Sequence, residues 1–452
     1  MKRFSGLRDF LLIWSGQVVS SVGSRLSSFA MGLWILQTTG SSIQFAMTFV
    51  AMDVPGLLVA PLAGPLVDRW DRRRVMAACD AVCALAALVM AALLAGGQLA
   101  VWHVYAGVAV ASVCATFHGP AFNASIPLLV DQERLPRINA MVQSGTAAAA
   151  IVSPLLAGAM VTVFSLGGVL LADALTFVVA VGTLLLARVP RVAPSTGPRR
   201  SVLAEAAVGW RYLRERPALM ALLYFDGLTR FLFGMASVLI APLVLGFATP
   251  ALLGVQYSIS GAGLLAGGLV MAALGAPRQR GRALLALSAL AGLLLAAHGL
   301  RPAFAMVAAA GFLMFFTLPM IGALNTSIWQ SKVPPELQGR CFSMKQVLSN
   351  TVSPLAYVLS GPLAELAFEP LLQPGGALAG SFGWLLGVGP GRGTGLAFVV
   401  LGLALAAAAA LVYALGTLRQ VDALPDARAG RDADEARPGT ATGDGATAAP
   451  VA

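Results

Sequence analysis

Four ionisable residues stand inside otherwise apolar stretches of this 452-residue chain: Arg25, Asp53, Asp226 and Arg230. A charge at bilayer depth costs about 2.5 to 3.5 kcal/mol on insertion scales unless it meets water or a partner, so each is a candidate for chemistry. Asp226 and Arg230 are one helical turn apart and can neutralise each other. Asp53 has no charged neighbour in its own stretch, and Pro55 beside it loosens the backbone hydrogen bonding. A carboxylate so placed has the chemistry of taking up and releasing a coupling proton, with Arg25 as counter-charge; the plainer alternative is a static Asp53 to Arg25 bridge. His118, followed by Gly119 and Pro120, brings an imidazole but no second ligand nearby, so no metal site is expected. Cys79 and Cys83 are four apart on one helical face, yet no His or further Cys joins them, and they read as small packing residues. No cofactor is implied.

The elements that must hold these groups follow from composition. With 58% hydrophobic and 11% charged residues, the chain is far from the mixture of a soluble domain. A bilayer core about 30 Å thick takes roughly 20 apolar residues per helical crossing. Twelve stretches qualify, near residues 10 to 37, 43 to 67, 75 to 97, 100 to 122, 141 to 164, 167 to 187, 217 to 246, 250 to 274, 283 to 300, 303 to 324, 346 to 369 and 395 to 418. The fold class is an all-α membrane protein with twelve transmembrane helices. The run from Phe10 to Leu36 is too long for a signal-peptide core and lacks an evident cleavage site, so it reads as a retained first helix.

The net charge of +10 is a matter of placement. Of the 30 Lys and Arg, 26 fall in the tails and in alternate connections on one side, including Lys332, Arg340 and Lys345 in the connection between helices 10 and 11. Only Arg301 and Arg392 fall in loops of the opposite face. By the positive-inside rule both termini of this multi-pass membrane protein are cytoplasmic, and the basicity signals topology rather than nucleic-acid binding.

An internal repeat divides the chain. Asn123-Ala-Ser-Ile126 after helix 4 returns as Asn325-Thr-Ser-Ile328 after helix 10, at an offset of 202. Val152-Ser-Pro-Leu155 returns as Val352-Ser-Pro-Leu355 at an offset of 200, and Arg25 pairs with Arg230 at an offset of 205. Three matches in order at nearly one spacing predict two pseudo-symmetric six-helix bundles, residues 1 to 187 and 217 to 418. Between them, residues 188 to 216 read as a cytoplasmic linker with an amphipathic helix carrying Leu203, Ala207, Trp210 and Leu213 at helical spacing. Residues 419 to 452 show no apolar period and read as a disordered cytoplasmic tail.

The connection between helices 2 and 3 runs Gly64-Pro-Leu-Val-Asp68-Arg69-Trp70-Asp71-Arg72-Arg73-Arg74. Gly64 permits close helix approach, Asp68 can accept charge-assisted hydrogen bonds at a helix end, and the arginines mark one membrane face. This run resembles motif A of the major facilitator superfamily. The resemblance implies a latch between the two halves, with Gly64, Asp68, Arg69, Arg72 and Arg73 as its residues. Asp71 stands where the motif has its second Gly. The first helix, this loop and the Pro136-Arg-Ile-Asn-Ala-Met141 run are together similar to the macrolide-efflux and siderophore-exporter branch, over roughly residues 1 to 418. Ala149, Ser153, Pro154, Ala157 and Gly158 resemble a degraded antiporter motif C, whose small residues would let helices 5 and 8 pack closely.

In that superfamily helices 1, 4, 7 and 10 line a central cavity. The resemblance therefore implies Arg25 and Arg230 as cavity charges, and His118, Phe117, Tyr224, Phe231, Phe315 and Phe316 as a substrate wall. The function implied is secondary-active, proton-coupled efflux of an amphiphilic small molecule by alternating access, in a monomer. An uptake or lysophospholipid-like facilitator is the alternative within transport. A membrane enzyme or sensor lacks support, since no Gly-Lys-Ser/Thr nucleotide loop or paired His/carboxylate motif is present.

Overall fold

The computed structural model describes residues 2–130, 134–188, 210–275 and 277–416. Twelve long helices cross side by side: α1 (Lys2–Thr39), α2 (Ser42–Arg69), α3 (Arg72–Ala95), α4 (Val101–Leu129), α5 (Met141–Met160), α6 (Val163–Leu186), α7 (Pro217–Leu245), α8 (Pro250–Leu274), α9 (Arg280–His298), α10 (Phe304–Lys332), α11 (Pro335–Pro362) and α12 (Arg392–Ala414). α5 and α6 belong to one helical run, Leu135–Leu186, broken where Ser165 takes φ 60° and ψ 172°.

Eleven of the twelve are long and apolar enough to span a membrane on that ground alone. The exception is α1, which has 38 residues but interrupts its apolar run with Gln17, Arg25 and five serines between positions 20 and 28. Its place in the bundle comes from packing against α5, α6 and α4. Several expected ends also move. α4 and α10 run on to Leu129 and Lys332, so the repeated Asn-x-Ser-Ile runs lie inside helices.

α1 to α6 pack among themselves, and α7 to α12 do the same. The first group buries two apolar clusters, one around Phe10, Met76 and Leu184 and the other around Ile35, Val104 and Leu170. The second buries one large cluster around Leu219, Leu239, Trp329 and Phe398. Across the halves, α5 meets α8 and α2 meets α11 and α7. The apolar cluster shared between halves holds Phe45 and Ala46 of α2 with Val238, Ala241 and Val244 of α7. It sits at the end that carries the α1/α2 and α7/α8 connections. The other end has no shared buried cluster among the described residues, so the space between the halves opens toward the α2/α3 connection.

Of the linker placed at residues 188 to 216, only 188 and 210–216 are described, and residues 210 to 214 are helical. The rest of it and the tail from 419 to 452 lie outside the described residues.

Candidate functional site

The α2/α3 loop shows why its residue types are spaced as they are. Asp71 occupies the N-cap of α3, and its carboxylate accepts from the backbone amides of Arg73 at 3.1 Å and Arg74 at 3.3 Å. The residue that departs from motif A thus starts the next helix. Arg72 donates to the carbonyl of Ala124 at 2.7 Å, and Arg73 to the carbonyls of Leu184 and Leu185, both at 2.6 Å. Arg73 therefore satisfies carbonyls in the last turn of α6, where the helix dipole also favours a cation, and Arg72 reaches a carbonyl more than a turn before the end of α4. These bonds stay within the first half, and none of them reaches across to the second. Gly64, Asp68 and Arg69 lie in the last turns of α2, and the surroundings of their side-chain positions are not described.

A cavity of about 890 Å³ lies between the halves. One face of α1 lines it with Gln17, Ser20, Ser21, Ser24, Ser27 and Ser28, ending at Met31. α2 adds Met52, Asp53 and Gly56; α3 and α4 add Cys79, Asp80, Cys83, Cys114 and His118; α6 adds Asp173. The second half contributes Arg230 and the Gln346 to Pro354 stretch of α11. The wall is thus hydroxyl-rich rather than aromatic.

That corrects the expected aromatic wall, of which only His118 lines the cavity. Phe117 stacks on Trp70, with ring centroids 6.2 Å apart. Tyr224 is 56% exposed but does not line the cavity. Phe231 and Phe315 pack onto the core of the second half, and Phe316 stacks on Phe312. The spans are apolar around their whole circumference, so helix membership does not say which face meets the cavity. A legible signal was the polar stripe at positions 17, 20, 21, 24, 27 and 28, which follows one helical face.

The charges also regroup. Arg25 is exposed, does not line the cavity, and takes no part in the ion pairs of the described residues, so it is not the counter-charge of Asp53. Asp53 instead lies within hydrogen-bonding reach of Tyr357 on α11, a contact that crosses the halves. Asp226 pairs with Arg230 at 3.1 Å, as the one-turn spacing allows, but it also meets Lys345 at 3.7 Å and accepts from Asn325 Nδ2 at 2.6 Å. Lys345 is therefore no connecting-loop cation. It lies inside α11 and is 13% exposed. Arg392, expected in an outer loop, is buried in the first turn of α12 and donates to the carbonyls of Leu386 and Gly299.

Near the middle of the first half, Gln17 Nε2 donates to Asp80 Oδ2 at 2.8 Å, and His118 Nε2 lies 3.6 Å from Asp80 Oδ1. Asp80 is 4% exposed and lies well inside the bundle, a site that its place near the start of α3 had concealed.

The closed end carries a second cross-half contact. Ser41 caps α2, and both its hydroxyl and the backbone amide of Ile43 donate to Glu365 at 3.2 Å. Glu365 sits in a π-helical turn, Leu363–Phe368, that follows α11 and aims the carboxylate at the positive end of α2. Charge-assisted bonds of this kind are worth about 1.5 to 3 kcal/mol, less where water reaches them. Glu365→Ala is expected to loosen this end by about 1 kcal/mol, a shift of about fivefold toward separation. Spin-label distances between the start of α2 and the end of α11 would lengthen; unchanged distance distributions would count against the contact as a latch.

A polar cavity held between two six-helix halves that meet at one end is the architecture of a membrane transporter. The chain belongs to the Major Facilitator Superfamily, whose profile matches residues 13–357. It is a multi-pass secondary transporter and not an enzyme. Among curated proteins it is 29% identical to macrolide efflux protein A of Streptococcus pyogenes over 363 residues, covering 79% of this chain and 89% of that one. It is 27% identical to the multidrug efflux pump Tap of Mycolicibacterium fortuitum over 379 residues, covering 79% and 89%. The macrolide-efflux resemblance of the sequence is borne out at this level. Among solved structures, a nucleoside transporter NupG superposes with a TM-score of 0.68 at 12% identity, covering 90% of this chain and all of that one. A bacterial homologue of the lysosomal transporter Spinster gives 0.63 at 13% identity, covering 93% and 97%. These two likenesses concern the fold.

Proposed function

We propose that the protein exports an amphiphilic small molecule in exchange for protons, with both termini in the cytoplasm and the cavity open toward them. The reading is supported by relatives that bear the names of macrolide and multidrug efflux proteins. The size of the cavity, about 890 Å³, also suits a drug-sized ligand. The observation that carries the coupling is the placement of Asp53. This carboxylate lines the cavity, has Tyr357 of the opposite half as its hydrogen-bond partner, and is not tied up by an arginine. When ionised it accepts from the tyrosine hydroxyl and favours the closed end; when protonated it loses the stronger, charge-assisted form of that bond. Proton binding and separation of the halves are then one event.

Motif A fits the same cycle. Arg72 and Arg73 are bonded within their own half while the cavity is open on their side. In the opposite state they become available to the second half.

The test is Asp53→Asn in cells and proteoliposomes, with a panel of macrolides and cationic dyes. Proton-driven efflux is expected to fall by about tenfold or more, while exchange of substrate for substrate continues, because the cavity keeps its shape. If Asp53→Asn efflux still follows the pH gradient, or an uncoupler leaves wild-type accumulation unchanged, proton exchange through Asp53 is wrong.

A further inference from the structure

Three of the four cysteines of this chain come together on one cavity wall. Cys79 and Cys83 are one turn apart on α3, and Cys114 of α4 lies within hydrogen-bonding reach of both. All three line the cavity, and all are free thiols. His118, one turn beyond Cys114, completes a Cys-x-x-x-His on α4 facing a Cys-x-x-x-Cys on α3. The sequence, where positions 83 and 114 are far apart, hides this juxtaposition; the packing of α3 on α4 creates it. The thioethers of Met31, Met52 and Met90 line the same cavity, so its soft donors are concentrated beside the thiols.

Packing alone accounts poorly for the cluster. A structural cysteine in a membrane bundle fills a small space against neighbours and is chemically inert. Cys79 and Cys83 are instead partly exposed to a hydroxyl-lined space, and Cys114, though buried, lines that same space between them. The fourth thiol, Cys341, is the contrast. It is 1% exposed, sits in the apolar core of the second half, and does not line the cavity. Among the described residues no three His, Cys, Asp or Glu side chains converge as a ready metal cage. What the geometry offers is two overlapping dithiols that share Cys114.

We propose that Cys114, with either Cys79 or Cys83, forms a dithiol site on the cavity wall that captures thiophilic trivalent arsenicals. An arsenoxide, R–As=O, takes two thiols, forms two As–S bonds and releases its oxygen as water carrying both thiol protons. No electrons are transferred, arsenic stays trivalent, and no thiolate need exist beforehand. The shared position of Cys114 makes it indispensable, whereas its two partners substitute for each other. Capture is a property of the wall itself and stands whether or not the exporter reading does.

The experiment uses the full chain in detergent and phenylarsine oxide as probe, with remaining thiols counted by a maleimide. One equivalent should protect two thiols; 2,3-dimercaptopropanol should restore them, and a monothiol at equal thiol concentration should not. Cys114→Ser should weaken capture by about tenfold or more, while Cys79→Ser and Cys83→Ser should each stay within about threefold of the parent. The double variant C79S/C83S should behave like Cys114→Ser, and Cys341→Ser like the parent. Should Cys114→Ser fail to fold, the double variant carries the same test. Full protection in the double variant, protection that depends on Cys341, or equal release by a monothiol would each overturn the site.

Discussion

Asp226→Ala is expected to lower stability by about 3 kcal/mol. The carboxylate serves three donors. Arg230 lies at 3.1 Å, Lys345 at 3.7 Å and Asn325 Nδ2 at 2.6 Å. Arg230 is 48% exposed in the cavity and can turn to water, so it contributes little to the loss. Lys345 cannot. At 13% exposure, on a helix facing the core of the second half, its ammonium would be left with the face of Trp329, 6.0 Å away, as its nearest compensation. Removing one partner of a buried pair costs about 3 to 5 kcal/mol because the other charge remains, and the partial exposure here places the value at the low end. The same reasoning gives a discriminating control. D226A/K345M removes both charges and should recover most of the lost thermal stability in detergent. A double variant no more stable than the single would mean that Asp226 acts through Arg230 or Asn325 instead.

The pairing of Asp226 with Arg230 was legible in the sequence because it is local, set by helical spacing. Lys345 was not, because its partner comes from another helix. Its position five residues after Arg340, next to the α10/α11 connection, made it look like one more topology charge. The same divide runs through the rest of the site. Motif A and the internal repeat are patterns in order and spacing, and they announced the two-half architecture. The identity of the cavity wall depends on the rotation of each helix about its own axis. In spans that are apolar all round nothing in the pattern fixes that rotation, and the aromatic wall was misplaced for this reason. α1 is the exception, since its serine stripe records the cavity face directly. Asp53 was singled out for lacking a charged neighbour in its own helix, and the structure supplies a hydroxyl from the other half instead of an arginine.

The two cross-half contacts at the closed end differ in kind, and this difference has a mechanical sense. Glu365 on Ser41 and Ile43 is polar, small in area and open to replacement by water, so it can break and re-form. Around it, Phe29 meets Tyr257 with centroids 6.2 Å apart and Phe49 meets Tyr357 at 5.6 Å, each pair joining one helix from each half. Aromatic pairs of this type add about 0.5 to 1.5 kcal/mol beyond the area they bury. Closure thus has an apolar part that supplies affinity and a polar part that supplies sensitivity to charge. Asp53 on Tyr357 lies between the two, where the cavity begins.

Gly254→Val is expected to cut transport by at least about fivefold by disfavouring the closing of this end. α5 and α8 approach so nearly that a Cβ at Gly254 would stand 2.4 Å from the carbonyl oxygen of Pro154 and 3.1 Å from the Cα of Gly158. Both obstacles are backbone, so no side-chain rotation relieves the clash. Ser258 on the same helix donates to the carbonyl of Ile151 at 2.8 Å, which fixes the register of the crossing. Small residues at such a crossing let helix backbones touch where lipid provides no hydrophobic drive. Overpacking costs about 1 to 3 kcal/mol in a well-packed site, and here the cost falls on one conformational state only, since the helices separate at this end when it opens. The closed population should fall by between about fivefold and a hundredfold, with the protein folded throughout. Substrate transport below about a fifth of the parent, with longer spin-label distances between the end of α5 and the start of α8, is the expected pair of results. Gly322→Ala supplies the control, because a Cβ there meets nothing within 4 Å and should leave both measurements unchanged. Loss of transport in Gly254→Val with unaltered α5 to α8 distances would show that the glycine serves folding rather than the closing of this end.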